Sequence, residues 1–300
     1  MEMSRLDNCP APAKLNLFLH VTGRRADGYH LLQTAFQLID RCDYLDVEVR
    51  ADGQICRTNE IDGVPADSDL IVRAARLLQS HTGCSQGADL TLRKNLPMGG
   101  GLGGGSSDAA TTLLALNHLW QTGVQRDELM KLALQLGADV PFFLFGTNAF
   151  AEGVGEELQA LVTPDVWFVV LEPGVQVPTP AIFSAKELTR DTNPVRIADF
   201  SSDAKHNWKN DLQTVACALF PQVDAAIKWL SQYGDARMTG SGACVFCAFA
   251  DETAADIVLK KISQVPGRWT SWKAKALSSH PMAQKLGSKN IWLEAGLTLK

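Results

Sequence analysis

Residues 97–110 read Pro-Met-Gly-Gly-Gly-Leu-Gly-Gly-Gly-Ser-Ser-Asp-Ala-Ala, and no other stretch limits the fold as much. Six glycines occupy the seven positions 99–105, with Leu102 among them. Glycine lacks a Cβ, so consecutive backbone N–H groups can turn toward a bulky anion. The run leads straight into an amphipathic segment, in which Ala109, Leu113, Leu116 and Trp120 recur at helical spacing. A helix start adds unpaired N–H groups and the positive end of the helix dipole. A flexible linker would not feed a helix in this way. The stretch from Pro97 through Met98, Gly99, Gly100, Gly101, Leu102, Gly103, Gly104, Gly105 and Ser106 to Ser107 therefore predicts a polyphosphate cradle.

Two common phosphate motifs are excluded. Gly99, Gly101 and Gly104 satisfy G-x-G-x-x-G, but that motif needs a βαβ unit and an acid ending a strand roughly 20 residues on. Asp127 lies near that distance but opens a helical segment. The Walker A pattern needs Gly-Lys-Ser/Thr, whereas Gly104 precedes Gly105 and Ser106.

The rest of the chain supports a mixed fold. Period-two alternation at 11–20 and 44–49, and strand-like runs at 29–38, 88–93, 166–172 (apolar and β-branched) and 269–276, predict strands. Helices are expected at 70–80, 126–136, 181–188, 211–220, 223–233 and 253–262. The elements do not alternate as strict βα units, which favours α+β in two domains. Gly146, Gly153 and Gly155 cluster where a boundary is expected, giving domains 1–155 and 156–300. Residues 278–300 show no period and read as a poorly specified tail.

A net charge of −5 argues against a general nucleic-acid binder. No apolar run is long enough to span a membrane, and no leader-like segment follows Met1, so a cytoplasmic location is expected. Seven scattered cysteines fit reduced thiols. Cys244 and Cys247 form C-x-x-C, but on a strand residues three apart face opposite sides.

Lys14 and Asn16 share one face of the first strand, a pattern that on its own reads as a solvated face. A second glycine turn, Gly240-Ser-Gly242, follows Thr239. On its own it is a tight turn between helix and strand.

Five segments then carry a resemblance. They are Pro12-Ala-Lys-Leu-Asn-Leu-Phe-Leu, Arg25-Ala-Asp-Gly-Tyr-His, the loop at 96–110, Leu136-Gly-Ala-Asp-Val-Pro-Phe-Phe and Thr239-Gly-Ser-Gly-Ala-Cys-Val-Phe. Their text and order resemble the GHMP kinase superfamily, nearest its branch acting on 4-diphosphocytidyl-2-C-methyl-D-erythritol. The resemblance implies a two-domain fold, with an N-terminal ribosomal-protein-S5-like half that binds ATP. A C-terminal ferredoxin-like half would bind the acceptor, with the active site in the cleft between them. It implies ATP and Mg²⁺, no nucleic acid or membrane partner, and a monomer or weak homodimer.

Site roles follow by resemblance. Loop 97–107 would wrap the β- and γ-phosphates, with Ser107 as a metal ligand. Asp139 would be the general base and Lys14 its partner; by local pattern alone Asp139 reads as an ordinary helix N-cap. Asp108 suits the start of a helix dipole. Tyr29, His30 and Phe183 would clamp a cytosine, and Asn16 and Thr179 would contact ribose, diphosphate or polyol. Gly240, Ser241 and Gly242 would close over the diphosphate or buttress the loop. Mevalonate- or homoserine-type kinases and a non-catalytic nucleotide sensor are the alternatives.

Overall fold

The computed structural model describes residues 4–202, 208–265 and 269–287. Strand β1 (Arg5–Arg24) pairs antiparallel with β2 (His30–Arg50). The separate strands expected at 29–38 and 44–49 are one strand. Pro12 pairs with Cys42 and Ala13 with Ile39, so β2 carries two extra residues, Asp40 and Arg41. Both are exposed on this bulge, and Asp40 accepts the Lys275 N–H at 2.7 Å. The bulge breaks the alternation without ending the strand.

The first half continues with β3 (Ile55–Arg57), α1 (Leu70–Thr82) and β4 (Gly87–Arg93). Then come α2 (Gly104–Leu119), α3 (Arg126–Leu136), α4 (Val140–Phe145), β5 (Ala149–Glu152) and β6 (Glu157–Ala160). The second half comprises β7 (Trp167–Glu172), α5 (Thr179–Ser184), α6 (Ile197–Ser202), α7 (Asp211–Leu219) and α8 (Pro221–Leu230). It ends with β8 (Arg237–Met238), β9 (Val245–Phe249), α9 (Glu252–Ile262), β10 (Thr270–Leu277) and α10 (Met282–Leu286). The helix expected at 181–188 is shifted: Pro180 starts α5 at its first turn, and extended Ala185 ends it.

The strands run β3-β4-β2-β10-β7-β9-β8, with β1 and β5 also on β2 and β6 on β5. The fold is α+β. β10 joins the halves, because it pairs with β7 along its length and with β2 at Ala276 and Leu277.

Burial explains where the site falls. Leu6 and Cys9 of β1 belong to a core built with α1 to α4, while Leu19 and Val21 belong to a core built with α7 to α9. Between them Ala13 and Leu15 pack with Phe168, Val170 and Phe246 in a bridging core. Each such fully buried Leu or Val contributes about 1.5–3 kcal/mol. The middle of β1, with Lys14 and Asn16, is thus pinned where the halves meet.

The stretch after Ala276 is not a loose tail as far as it is described. His280 donates its N–H to the Gly146 carbonyl at 2.8 Å, and Met282 and Leu286 are buried in the first core. Residues 288–300 lie outside the described residues. Cys244 and Cys247 are free and pack in different cores, and burial pushes the Cys247 thiol up to about 11. Among the described residues no helix is long and apolar enough to cross a membrane.

Candidate active site

The glycine loop stands between two clefts. The larger, about 790 Å³, is lined from both halves; the smaller, about 370 Å³, lies between the loop, Ile61, Val64 and the start of α1. Gly99, Gly101, Gly103 and Ser106 line both, and Pro97, Met98, Gly100, Leu102, Gly104 and Gly105 line the smaller one.

Helix α2 begins at Gly104, inside the glycine run. Its N-cap, Gly103, is left-handed (φ 72°), and no side chain caps the helix. The first-turn N–H groups are therefore left for a ligand. Ser106 and Ser107 lie within the first turns and are not caps. Ser106 opens on both clefts, whereas Ser107 is fully buried, lines neither and has no partner for its Oγ among the described residues.

The second glycine turn docks against the loop. Cys244 N–H donates to the Gly100 carbonyl at 3.1 Å, and Thr239 Oγ1 donates to the Gly101 carbonyl at 3.3 Å. Gly101 has φ 77°, and a Cβ there would lie 2.2 Å from the Thr239 carbonyl oxygen, so only glycine fits. Asn210 Nδ2 holds the turn by donating to the Met238 and Gly240 carbonyls, each at 2.8 Å. Gly240, Ser241 and Gly242 also line the larger cleft.

Lys14 and Asn16 are buried, not solvated, because this turn and the loop cover them. Lys14 Nζ lies 3.3 Å from Asp139 Oδ2 and donates to Asn16 Oδ1 at 2.7 Å. Asn16 Nδ2 donates to Thr34 Oγ1 at 2.9 Å, and the Asn16 N–H to Thr239 Oγ1 at 3.0 Å. Asp139 precedes α4 but caps nothing: its backbone is helical and its carboxylate accepts no helix N–H. Its carboxylate is 36% exposed and faces the larger cleft. Val140, Pro141, Phe142, Phe143 and Leu144 behind it are all buried, which fixes its position.

Tyr29, His30, Thr179 and Phe183 line the far end of the same cleft. The rings of His30 and Phe183 lie 4.9 Å apart, while Tyr29 is 66% exposed at the rim. Burial, then the Arg190 and Arg24 cations, lower the His30 pKa, so the ring is neutral near pH 7. Thr179 Oγ1 and Ser241 Oγ share a hydrogen bond of 2.7 Å, tying α5 to the second glycine turn.

Behind the loop lies a charged set that patterning missed. Lys94 Nζ donates to Asp108 Oδ2 at 2.8 Å and also to Asp43 Oδ2. Asp43 accepts the N–H groups of Asn95 (2.5 Å) and Leu96 (2.8 Å). Asp108 lies beyond the first turn and does not cap α2. Burial pushes its carboxyl up to about 8; Lys94 opposes this and Asp43 reinforces it. Burial acts to lower the Lys94 pKa, but the two carboxylates raise it overall. Thr34, Thr239 and Arg190 were also missed. Thr239 had a signal in its own glycine turn, and Lys94 in its place just before the loop.

The model of the GHMP kinases N terminal domain matches residues 69–147, and that of the GHMP kinases C terminal matches residues 195–266. A 4-diphosphocytidyl-2-C-methyl-D-erythritol kinase from Herminiimonas arsenicoxydans is 68% identical over 281 residues, 93% of this chain and 97% of the relative. One of the same name from Janthinobacterium sp. (strain Marseille) is 66% identical over 283 residues, 93% of this chain and 97% of the relative. A solved 4-(cytidine 5′-diphospho)-2C-methyl-D-erythritol kinase aligns with TM-score 0.75 at 34% identity, over 89% of this chain and 98% of that one. A solved homoserine kinase from Cytophaga hutchinsonii shares the fold, with TM-score 0.69 at 16% identity over 93% and 96% of the two chains. The chain belongs to the GHMP kinases and, within them, to the family of the 4-diphosphocytidyl-2-C-methyl-D-erythritol kinases. It is an ATP-dependent small-molecule kinase.

Proposed function

We propose that the chain transfers the γ-phosphoryl group of ATP to the 2-hydroxyl of 4-diphosphocytidyl-2-C-methyl-D-erythritol, a step in the methylerythritol phosphate route to isoprenoids. One observation carries this reading. A single cleft has a lysine–carboxylate pair beside a glycine loop and, at its other end, a neutral histidine against a phenylalanine. A kinase for a small polyol without a base has no use for the second feature.

In the proposed division of labour 1–155 holds ATP, and the acceptor is shared, with Tyr29 and His30 from the first half and Thr179, Phe183 and Ser241 from 156–300. The smaller cleft suits the nucleoside of ATP, and loop 97–107 suits its phosphates, with uncapped N–H groups aimed at the anion. Asp139 accepts the proton of the attacking hydroxyl. Lys14 holds Asp139 ionised and counters charge building on the transferred phosphoryl group. Asn16 is spent on Lys14 and Thr34, so it acts first by orienting Lys14. His30, Phe183 and Tyr29 bind the base, and Thr179 with Ser241 faces the diphosphate.

Hard oxygen donors beside a phosphate loop fit Mg²⁺, and the buried Ser107 Oγ and Asp108 Oδ1, near the start of α2, have no partner among the described residues. Its place at the helix start nominates Ser107. Ser106 is the hydroxyl that opens on the clefts, and it is the ligand we favour, alongside phosphate oxygens. When bound, the ion neutralises polyphosphate charge.

An ADP-release assay across the cytidylyl substrate, mevalonate and homoserine tests the reading. Turnover is expected with the cytidylyl substrate alone; preferential turnover of either other acceptor overturns it. Base stacking is worth about 1–3 kcal/mol, so Phe183→Ala raises KM for that substrate about 5- to 150-fold and leaves KM for ATP unchanged.

A further inference from the structure

Arg190, on the loop after α5, has a guanidinium committed wholly to the base end of the cleft. Its Nε donates to His30 Nε2 at 3.1 Å. Nη2 donates to the carbonyls of Phe183 (3.0 Å) and Ala185 (2.6 Å), and Nη1 to that of Leu188 (3.0 Å). One side chain thus fixes both the histidine and the backbone that carries the phenylalanine.

The chemistry of that contact is one-directional. Guanidinium has donors only, so His30 Nε2 must present its lone pair. In a neutral imidazole the single ring proton then sits on Nδ1, since the bond made by one nitrogen sets the state of the other. Nδ1 has no protein partner among the described residues, and His30 lines the cleft. A fixed donor facing a base suits an acceptor ring nitrogen, as in cytosine. It opposes uracil, whose corresponding nitrogen carries a proton.

We propose that Arg190 is a positioning residue for base specificity: it locks His30 in the Nδ1–H form, so that the cleft takes a cytidylyl acceptor and rejects a uridylyl one. This rests on the reading of His30 and Phe183 as the base-binding pair. Lysine cannot substitute, because a single ammonium cannot span an imidazole and three carbonyls.

Imidazole ¹⁵N spectra of the full chain near pH 7.5, with His30 assigned by His30→Gln, test the state directly. The expected wild-type spectrum has Nδ1 protonated and Nε2 bare; protonation at Nε2 overturns the proposal with no variant needed. Kinetics test the consequence. Arg190→Gln and Arg190→Lys are each expected to raise KM for the cytidylyl substrate at least tenfold, with a smaller change in kcat. Each is also expected to cut the cytidylyl-over-uridylyl preference in kcat/KM at least tenfold. A merely structural role would slow both substrates alike and keep that ratio, which overturns the proposal while the base-binding reading stands. If His30→Ala leaves KM for the cytidylyl substrate unchanged, the base-binding reading fails and takes the specificity role with it.

Discussion

Lys14 and Lys94 each meet an aspartate beside the glycine loop, one on its cleft side and one behind it. Lys14 lies 3.3 Å from Asp139, whose carboxylate is 36% exposed; Lys94 lies 2.8 Å from Asp108, whose carboxylate is 3% exposed and backed by a fully buried Asp43. The front pair opens on the larger cleft, where a substrate hydroxyl can reach the carboxylate. The rear set holds structure, although Lys94 and Asp108 also line the smaller cleft. Asp43 holds the backbone of Asn95 and Leu96 as the chain enters the loop, and Asp108 ties Lys94 to α2. On the proposed reading, access separates the same residue types into chemistry and scaffolding. A base must stay ionised and reach its proton, whereas a buried carboxyl crowded by a second one keeps its proton.

The largest expected effect breaks the front pair. Asp139→Asn keeps the shape but removes the proposed base, so kcat is expected to fall by about 10²–10⁴-fold. ATP affinity, followed by calorimetry, stays near wild type because the loop is untouched. Near-normal turnover would remove Asp139 from the chemistry and make the two sets alike.

The next breaks the rear set. Lys94→Ala strands two buried carboxyls against each other, and losing one partner of a buried pair costs about 3–5 kcal/mol. Denaturant unfolding should show that loss at neutral pH, with KM for ATP rising because Lys94 also lines the smaller cleft. A loss under about 1 kcal/mol would mean the set is solvated like an ordinary surface pair.

The contrast also marks what could be read before the fold was known. The loop was legible because backbone geometry forces its composition: Gly101 has no alternative to glycine against the Thr239 carbonyl. The placing of Lys14 beside Asp139 in the cleft was legible only through the resemblance, since their local patterns point to a cap and a solvated face. Neither local pattern held: Asp139 has helical backbone and meets Lys14, and Asn16 is covered by Thr239, 223 residues on. Lys94, Asp43 and Arg190 are single charges with no period and no motif. Their partners are chosen by tertiary placement, as with Arg190 and His30, 160 residues apart. The single long β2 was hidden because its bulge mimics a strand end.

The smallest effect is the sharpest test of the difference. Asparagine matches a protonated Asp108 in shape and still offers Lys94 an oxygen, so Asp108→Asn should keep turnover within about threefold. Its signature lies in pH. The folded pKa of Asp108 is raised from 3.8 to about 8, so between those values the native state keeps a proton that the unfolded chain releases. That contribution is fully present below the unfolded value and is lost as pH rises through the folded one, by up to ~1.4 kcal/mol per pH unit. The variant has no such proton to lose. Unfolding free energies of the two proteins should therefore be similar near pH 4 and diverge toward pH 8 in favour of Asp108→Asn. Titrating groups away from Lys94 and Asp43 cancel in that difference. A difference that stays flat, or that favours the wild type at high pH, would make Asp108 an ionised partner of Lys94, and the rear set would then match the front pair in charge state.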